Sequence, residues 1–312
     1  MKRIVQVSTF IIAMALAAGC GGKHETVTPR HQTLSDAGNA MQKAIATYNK
    51  GCYRAALKEF YRAHELYTLS DDINGIAMCM NNMGNIYRHV EEYADAVSFF
   101  DKAYDLYMKI GNTKGAVQAL SNKAAVMIAD DRLAEAETLL DKAVVTLPEG
   151  AAPPIPVLNN RGILCMKQGQ TDTAEALLKK ALTRTGPEDL GHLATVSGSL
   201  GNLMARTGRY EAALHHFTTA YEADRKRGST KNMAEDLSDM ATACVELDQW
   251  ERAAGYLERS IKIYALTGDV VRAHKAYERL VSLAREHDYD IAITSHFVKK
   301  WLKGETIRTY CR

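Results

Sequence analysis

The side chains best placed to do chemistry in this chain are amides. Asn81, Asn82 and Asn85 are followed near 40-residue intervals by Asn122, by Asn159 and Asn160, and by Asn202, with Arg88, His89 and Arg206 close by. An amide carries both a donor and an acceptor, so a row of them can pair with the backbone of an extended polypeptide without reading its sequence. The same row can instead bond neighbouring helices to each other and hold a stack; we favour ligand contact. Reactive constellations are missing from the sequence. It has no paired-cysteine metal spacing, no His-Glu-x-x-His and no phosphate-binding glycine loop. Val196-Ser-Gly-Ser-Leu-Gly has the wrong serine and glycine spacing for a nucleophile elbow. His215 and His216 fall on different sides of a helix, and His24 and His31 have no cysteine or carboxylate cluster with them. The expectation is a protein without catalytic residues, metal or cofactor. The alternative is a cell-wall or hydrolytic enzyme on a helical scaffold, against which the lack of a paired acid and base counts.

The cysteines are Cys20, Cys52, Cys79, Cys165, Cys244 and Cys311. Cys165 and Cys244 share an apolar column and read as buried thiols. Cys52 and Cys79 belong at opposite ends of adjacent helices, too far apart to bridge, and Cys311 has no evident partner in the sequence. The chain has 39 basic and 37 acidic residues, and no face carries the basic excess that nucleic acid requires.

The elements that must position the amides repeat. Gly84 to Ala103 sets small residues at Gly84, Ala96 and Ala103 against aromatics at Tyr87, Tyr93 and Phe100. On two helices joined by a short turn, the small residues let the backbones approach and the aromatics fill the space beside them. The Ala96 position recurs as Ala56, Ala136, Ala174, Ala213 and Ala253, and the Phe100 position as Phe60, Leu140, Leu178, Phe217 and Leu257. The Gly84 position stays small, as Ala44, Ala124, Gly162, Gly201 and Ala241. The Asn82 position reads Gln42, Asn82, Asn122, Asn160, Ser199 and Asp239. A single hairpin cannot cover its own apolar face, so it needs neighbours like itself.

This small-x-x-Tyr, then Tyr-x-x-Ala-x-x-x-Phe-x-x-Ala arrangement resembles the tetratricopeptide repeat. The resemblance implies an all-α, right-handed superhelical solenoid of about six to seven hairpins over residues 35–290, with a capping helix and tail at 291–312. The period is longer than the usual ~34 residues, and Met80, Leu120, Leu158, Ser197 and Leu237 stand where the family has tryptophan. The longer period resembles an extended-helix branch whose members bind peptides or partner proteins and whose asparagines in the Asn82 column contact bound peptides. By that likeness the first helices line a concave groove, with Asn81, Asn82, Asn85, Arg88, His89, Asn122, Asn159, Asn160, Asn202 and Arg206 as its contact residues, and the partner is a peptide or protein.

Residues 1–19 read as a targeting segment: Lys2 and Arg3, then the apolar run from Phe10, then Leu16-Ala-Ala-Gly-Cys20. The ending resembles a bacterial lipoprotein signal, which implies acylation of Cys20, attachment to a lipid bilayer and a polar tether over 20–34. Gly21 stands where an inner-membrane retention signal has aspartate, so the expectation is the bacterial envelope, at the outer membrane facing the periplasm. Some outer-membrane lipoproteins with such repeats serve pilus, secretin or barrel assembly, which makes an envelope-machine factor the narrower expectation.

Gly111-Asn112, Gly228-Ser229 and Gly268-Asp269 each predict a left-handed glycine followed by a capping side chain. Pro148, Pro153, Pro154 and Pro156 predict a stiff connection across which stacking continues. The last helix is expected to turn Ile293, Phe297 and Trp301 inward, with Lys299, Lys300 and Lys303 outward. The first repeat departs from the pattern at Tyr48, one residue off the Tyr87 column, as an end repeat does.

Overall fold

A computed structural model describes residues 29–302 and Cys311. The targeting segment, Cys20, the first part of the tether, His24 and Lys303 lie outside the described residues. Among the described residues there are 14 helices and no strand, and they pair in chain order into seven antiparallel hairpins. The units are α1 (Pro29–Asn49) with α2 (Tyr53–Leu69), α3 (Ile73–His89) with α4 (Tyr93–Lys109), and α5 (Thr113–Ala129) with α6 (Leu133–Val145). Then come α7 (Ile155–Lys167) with α8 (Thr171–Thr183), α9 (Leu190–Arg206) with α10 (Tyr210–Arg227), α11 (Thr230–Glu246) with α12 (Trp250–Thr267), and α13 (Val270–His287) with α14 (Ala292–Leu302). The fold is an all-α repeat solenoid. Helix α1 starts earlier than the repeat array expected from residue 35 and takes in residues 29–34 of the predicted tether. No described helix is long and apolar enough to cross a membrane.

The columns explain the hairpins. Ala56, Ala96, Ala136, Ala174, Ala213 and Ala253 are all fully buried, and the Phe60, Phe100, Leu140, Leu178, Phe217 and Leu257 column is buried beside them. Close approach is enforced where glycine stands in the Gly84 column: a Cβ on Gly84 would come within 2.8 Å of the Phe100 ring, and one on Gly201 within 2.5 Å of Phe217. Each second helix from α2 to α12 begins on the Tyr93 column, at Tyr53, Tyr93, Leu133, Thr171, Tyr210 and Trp250. The turn before it is three residues long, its middle residue left-handed, as at Glu91 (φ 65°) and Gly169 (φ 80°).

Asn112 and Asp269 cap α5 and α13 as predicted, accepting from Gly115 N and Arg272 N. Ser229 precedes α11 without a side-chain cap; its hydroxyl lies instead 3.4 Å from Arg227 Nη2. The proline-rich connection does not divide the core, since Val157 of α7 packs in one cluster with Val117, Leu120 and Ala124 of α5. The first helices α3, α5, α7 and α9 touch in succession and form the inner layer.

Helix α14 corrects the sequence reading of its inward face. Ile293 is 75% exposed and Phe297 44% exposed, while Thr294 and Val298 are buried and Trp301 packs beside them. Thr294 donates to Glu258 Oε1 at 2.6 Å and Tyr277 donates to Ser295 at 2.9 Å, which fixes α14 about one residue round from the expected stripe. It is the second helix of a seventh hairpin.

Candidate functional site on the inner surface

The predicted groove residues separate into three settings. In the first, amides bond between units. Asn122 Nδ2 donates to Asn81 Oδ1 at 3.0 Å, and its own Oδ1 accepts from Gln118. Asn160 Nδ2 donates to both the carbonyl and the hydroxyl of Ser121. A residue of the Asn82 column thus reaches back one unit to the neighbouring column, and Asn160 and Asn159 are buried, at 8% and 3% exposure. Asn82 and Asn85 donate to carbonyls of their own helix, at Met78 and Asn81, and are half-buried.

The succession stops at α9. Ser199 is too short to reach α7 and bonds the Thr195 carbonyl one turn back. Asn159 Oδ1 is left buried without a hydrogen-bond partner, and the space over Gly198 is open. Asn202 and Arg206, one and two turns on, are exposed.

In the second setting the inner surface is charged. Asp239 holds the Asn82 column on α11, and Arg279 holds the same column one unit later on α13. Arg279 donates to Ser238 Oγ at 3.0 Å and to Thr242 Oγ1 at 2.7 Å, so its guanidinium is fixed by hydroxyls. Glu235, Ser238, Asp239, Tyr264, Arg272, Lys275 and Arg279 line a cavity of about 430 Å³ between the two helices. Burial, with Glu235 adding to it, pushes the Asp239 carboxyl up to about 7, against the pull of Arg279. Burial lowers the Arg279 guanidinium. Behind the cavity, Asp236 is pushed up to about 9, first by burial and then by Asp224. A site of this kind offers fixed cationic donors and one carboxyl whose charge changes near neutral pH.

The third setting is where the two ends of the array meet. Lys231, at the start of α11, is 3% exposed. Its Nζ lies 5.0 Å from the centre of the Tyr53 ring, 3.4 Å from His89 Nδ1 and 3.1 Å from Glu235. Tyr53 stacks on His89, and Tyr48 packs against both rings. Burial, then Arg88 and Lys231, holds His89 well below its usual pKa, so it is neutral here. Burial also lowers Lys231, with Glu235 opposing. Arg88 and His89, expected in the groove, therefore sit in a contact between the second and sixth units. A second correction belongs to the same place: Cys311 has a partner, Cys52, at a Cα separation of 5.0 Å. Cys79, Cys165 and Cys244 are free. Tyr53 and Lys231 gave no functional signal in the sequence, because the partners that meet there across the array are 142 positions or more apart, and 259 at the disulfide.

Among the described residues no group of three or more His, Cys, Asp or Glu side chains is arranged to hold a metal.

Known proteins share this architecture. Models described as "tetratricopeptide repeat" match residues 36–109, 155–226 and 192–266, and a second such model matches 117–142. No curated protein sequence matches the chain. Among solved structures, the Rap conjugation gene regulator of plasmid pLS20, in complex with the Phr* peptide, aligns with a TM-score of 0.59 at 17% identity, over 93% of this chain and 79% of that one. A Rap protein complexed with Competence and Sporulation Factor aligns with a TM-score of 0.53 at 13% identity, over 80% of this chain and 75% of that one. PilW, a type IV pilus biogenesis factor, aligns more loosely, with a TM-score of 0.46 at 21% identity, over 71% of this chain and 90% of that one. At these identities the likeness is one of fold.

Proposed function

The chain belongs to the tetratricopeptide repeat family, and from that premise we propose that it is a protein-interaction scaffold that binds an extended peptide segment of its partner along the inner surface from α9 to α13. The observation that carries this reading is the change along one column. On α5 and α7 the same column bonds back to the preceding unit, Asn122 to Asn81 and Asn160 to Ser121, whereas from α9 onward it opens at Ser199 and becomes the cavity of Asp239 and Arg279. Solenoids present such extended surfaces to linear segments. Exposed Asn202 and Arg206 extend the site toward α9. Asn82 and Asn85 keep their carbonyl oxygens for a segment that runs further. Among the similar folds the Rap conjugation gene regulator is in complex with the Phr* peptide, which supports a peptide as the ligand.

The proposal includes its setting. Cys20, at the end of the Leu-Ala-Ala-Gly-Cys run, carries the lipid, and the solenoid works at the bacterial envelope, with the outer membrane's periplasmic face as its place. Cys20→Ser then releases the protein from the membrane fraction; retention there, with no acyl mass on the natural protein, rejects the anchor.

Photocrosslinking in intact cells tests the groove. A photoreactive residue at Asn202 or Lys275 should trap a discrete partner, and one at Lys58 on α2 should not. Asp239→Ala with Arg279→Ala should reduce the Lys275 adduct at least tenfold at unchanged helix content. Equal adducts from Lys58 and Lys275, or an adduct indifferent to the double substitution, would reject the site.

A further inference from the structure

We propose that the Cys52–Cys311 disulfide is a redox latch that holds the two ends of the solenoid together and sets whether its inner surface is a closed ring or an open crescent. The inference does not depend on the identity of the partner.

The bond joins residues 259 positions apart, so it encloses almost all of the hairpins. Cys52 closes the α1–α2 turn and is 4% exposed. Cys311 is half-buried, and its Sγ lies 3.5 Å from the carbonyl of Thr267, the last residue of α12. Cys311 therefore clips the turn of the first hairpin to the junction of the sixth and seventh. The same two edges meet without the bond at Lys231. A Cβ on Gly51 (φ 80°) would lie 2.9 Å from Lys231 Cβ, so the turn and the start of α11 are in contact. The lysine head is enclosed by Tyr53, His89 and Glu235.

These two contacts differ in kind. The lysine contact places a cation in a buried setting with a single carboxylate, and such burial has a desolvation cost that offsets much of the attraction. Alone it is a closure that can come undone. The disulfide makes the closed state the covalent one. It is also the part a reductant can remove. The thiolate of an external dithiol attacks Cys311 Sγ, the more accessible sulfur, and Cys52 leaves as a thiolate that takes up a proton. The second thiol of the dithiol then attacks the mixed disulfide, releases Cys311 as a thiol and leaves as a cyclic or internal disulfide. Two electrons pass from the dithiol to the protein, and two protein thiols result. The edge at Tyr48, Tyr53, His89 and Lys231 is then free to part, and the inner surface becomes open to a segment arriving from the side.

The test uses the full chain. Non-reducing peptide mapping should recover a Cys52–Cys311 linked peptide. Hydrogen exchange is then followed before and after treatment with dithiothreitol, and in Cys311→Ser without reductant. Reduction should raise exchange at least tenfold at residues 48–53, 86–90 and 229–233 and leave α5 to α8 unchanged. Cys311→Ser should reproduce that pattern. Absence of the linked peptide overturns the proposal. So does exchange at the two edges that is the same in the oxidised protein, the reduced protein and Cys311→Ser. Faster exchange throughout, α5 to α8 included, would make the bond a general brace and equally overturn the latch.

Discussion

The inner faces of the second to fourth hairpins and of the sixth and seventh use one sequence column in opposite ways. On α5 and α7 the column is asparagine, and both Asn122 and Asn160 bond back to the preceding unit. On α11 and α13 it is Asp239 and Arg279, and a cavity stands between those helices. Short neutral amides reach a side chain or carbonyl of the preceding unit at helix-packing distance, so they act as a seam. A carboxyl and a guanidinium bring charge into the stack, and burial, with Glu235 beside it, raises the carboxyl's pKa in spite of the guanidinium. The lesson is that a polar column in a repeat array is not one functional unit: whether it binds or braces is decided pair by pair.

The two regions share their packing, and the largest expected effects test that. Phe100→Ala on the seam side and Phe217→Ala in the fifth hairpin, next to the charged side, each remove a ring that is at most 2% exposed, and each should destabilise by roughly 3–5 kcal/mol. Thermal unfolding checks both. A loss confined to one of them would show that the halves differ in their cores as well as on their inner faces.

Next in size is the pair of inner-surface substitutions. Asn122→Ala with Asn160→Ala strips the seam and leaves acceptors at Asn81 and Ser121 without their donors, at a cost of about 1–3 kcal/mol in stability. Capture of the partner should fall only with unfolding. Asp239→Ala with Arg279→Ala also removes the bonds from Arg279 to Ser238 and Thr242, so some stability is lost, but capture should weaken well beyond what that loss of folding explains. Interchanged outcomes would place the ligand on the seam and reject the division drawn here.

The pH response should separate the halves as well. Asp236 and Asp239 have folded pKa values raised to about 9 and about 7 from an ordinary value of 3.8. Between the unfolded and folded values the native state holds more protons than the unfolded chain, so stability is greatest below pH 4 on this account and falls as pH rises through the folded values. Asp236→Asn should therefore raise the melting temperature at pH 8 and flatten its decline between about pH 5 and 8. The seam substitutions should shift the curve without changing its slope. A wild-type melting temperature that climbs from pH 5 to 8 would contradict the assigned burial of these carboxyls.

Much of the fold was legible because its determinants are local and repeated. The Ala96, Phe100 and Gly84 columns each make the same contact within a hairpin, so six copies reinforce one reading, and all of the alanines of the first column are fully buried. The face of α14 was not legible from apolarity. Ile293 and Phe297 outrank Thr294 in hydrophobicity, yet the hydrogen bond from Thr294 to Glu258 on α12 and the burial of Val298 set the rotation. The meeting of the ends was hidden for a different reason. Cys52 with Cys311, and His89 with Lys231, are joined only after the whole array has curved round, and no window of sequence contains both partners. Of the site, the column that contains Asp239 was visible, but the bonding that separates seam from cavity depends on side-chain reach across helices.

The smallest effect is the sharpest test of that last point. Asn122 reaches Asn81, and Asn160 reaches Ser121, because an asparagine projects one bond further than a serine from the same position. At Ser199 the hydroxyl turns back to Thr195, and Asn159 Oδ1, which stands where Asn81 Oδ1 stands two units earlier, is buried and unpartnered. Ser199→Asn should carry an amide to it and extend the seam by one unit. One recovered hydrogen bond contributes about 0.5–1.5 kcal/mol, which for an array of this size corresponds to roughly 1–4 °C in melting temperature. Capture of the partner should weaken at the same time, since the seam would close over the start of the proposed site. A lower melting temperature would mean that the α7–α9 junction is not spaced like the two before it, and the interruption would then be a matter of helix geometry rather than of one short side chain.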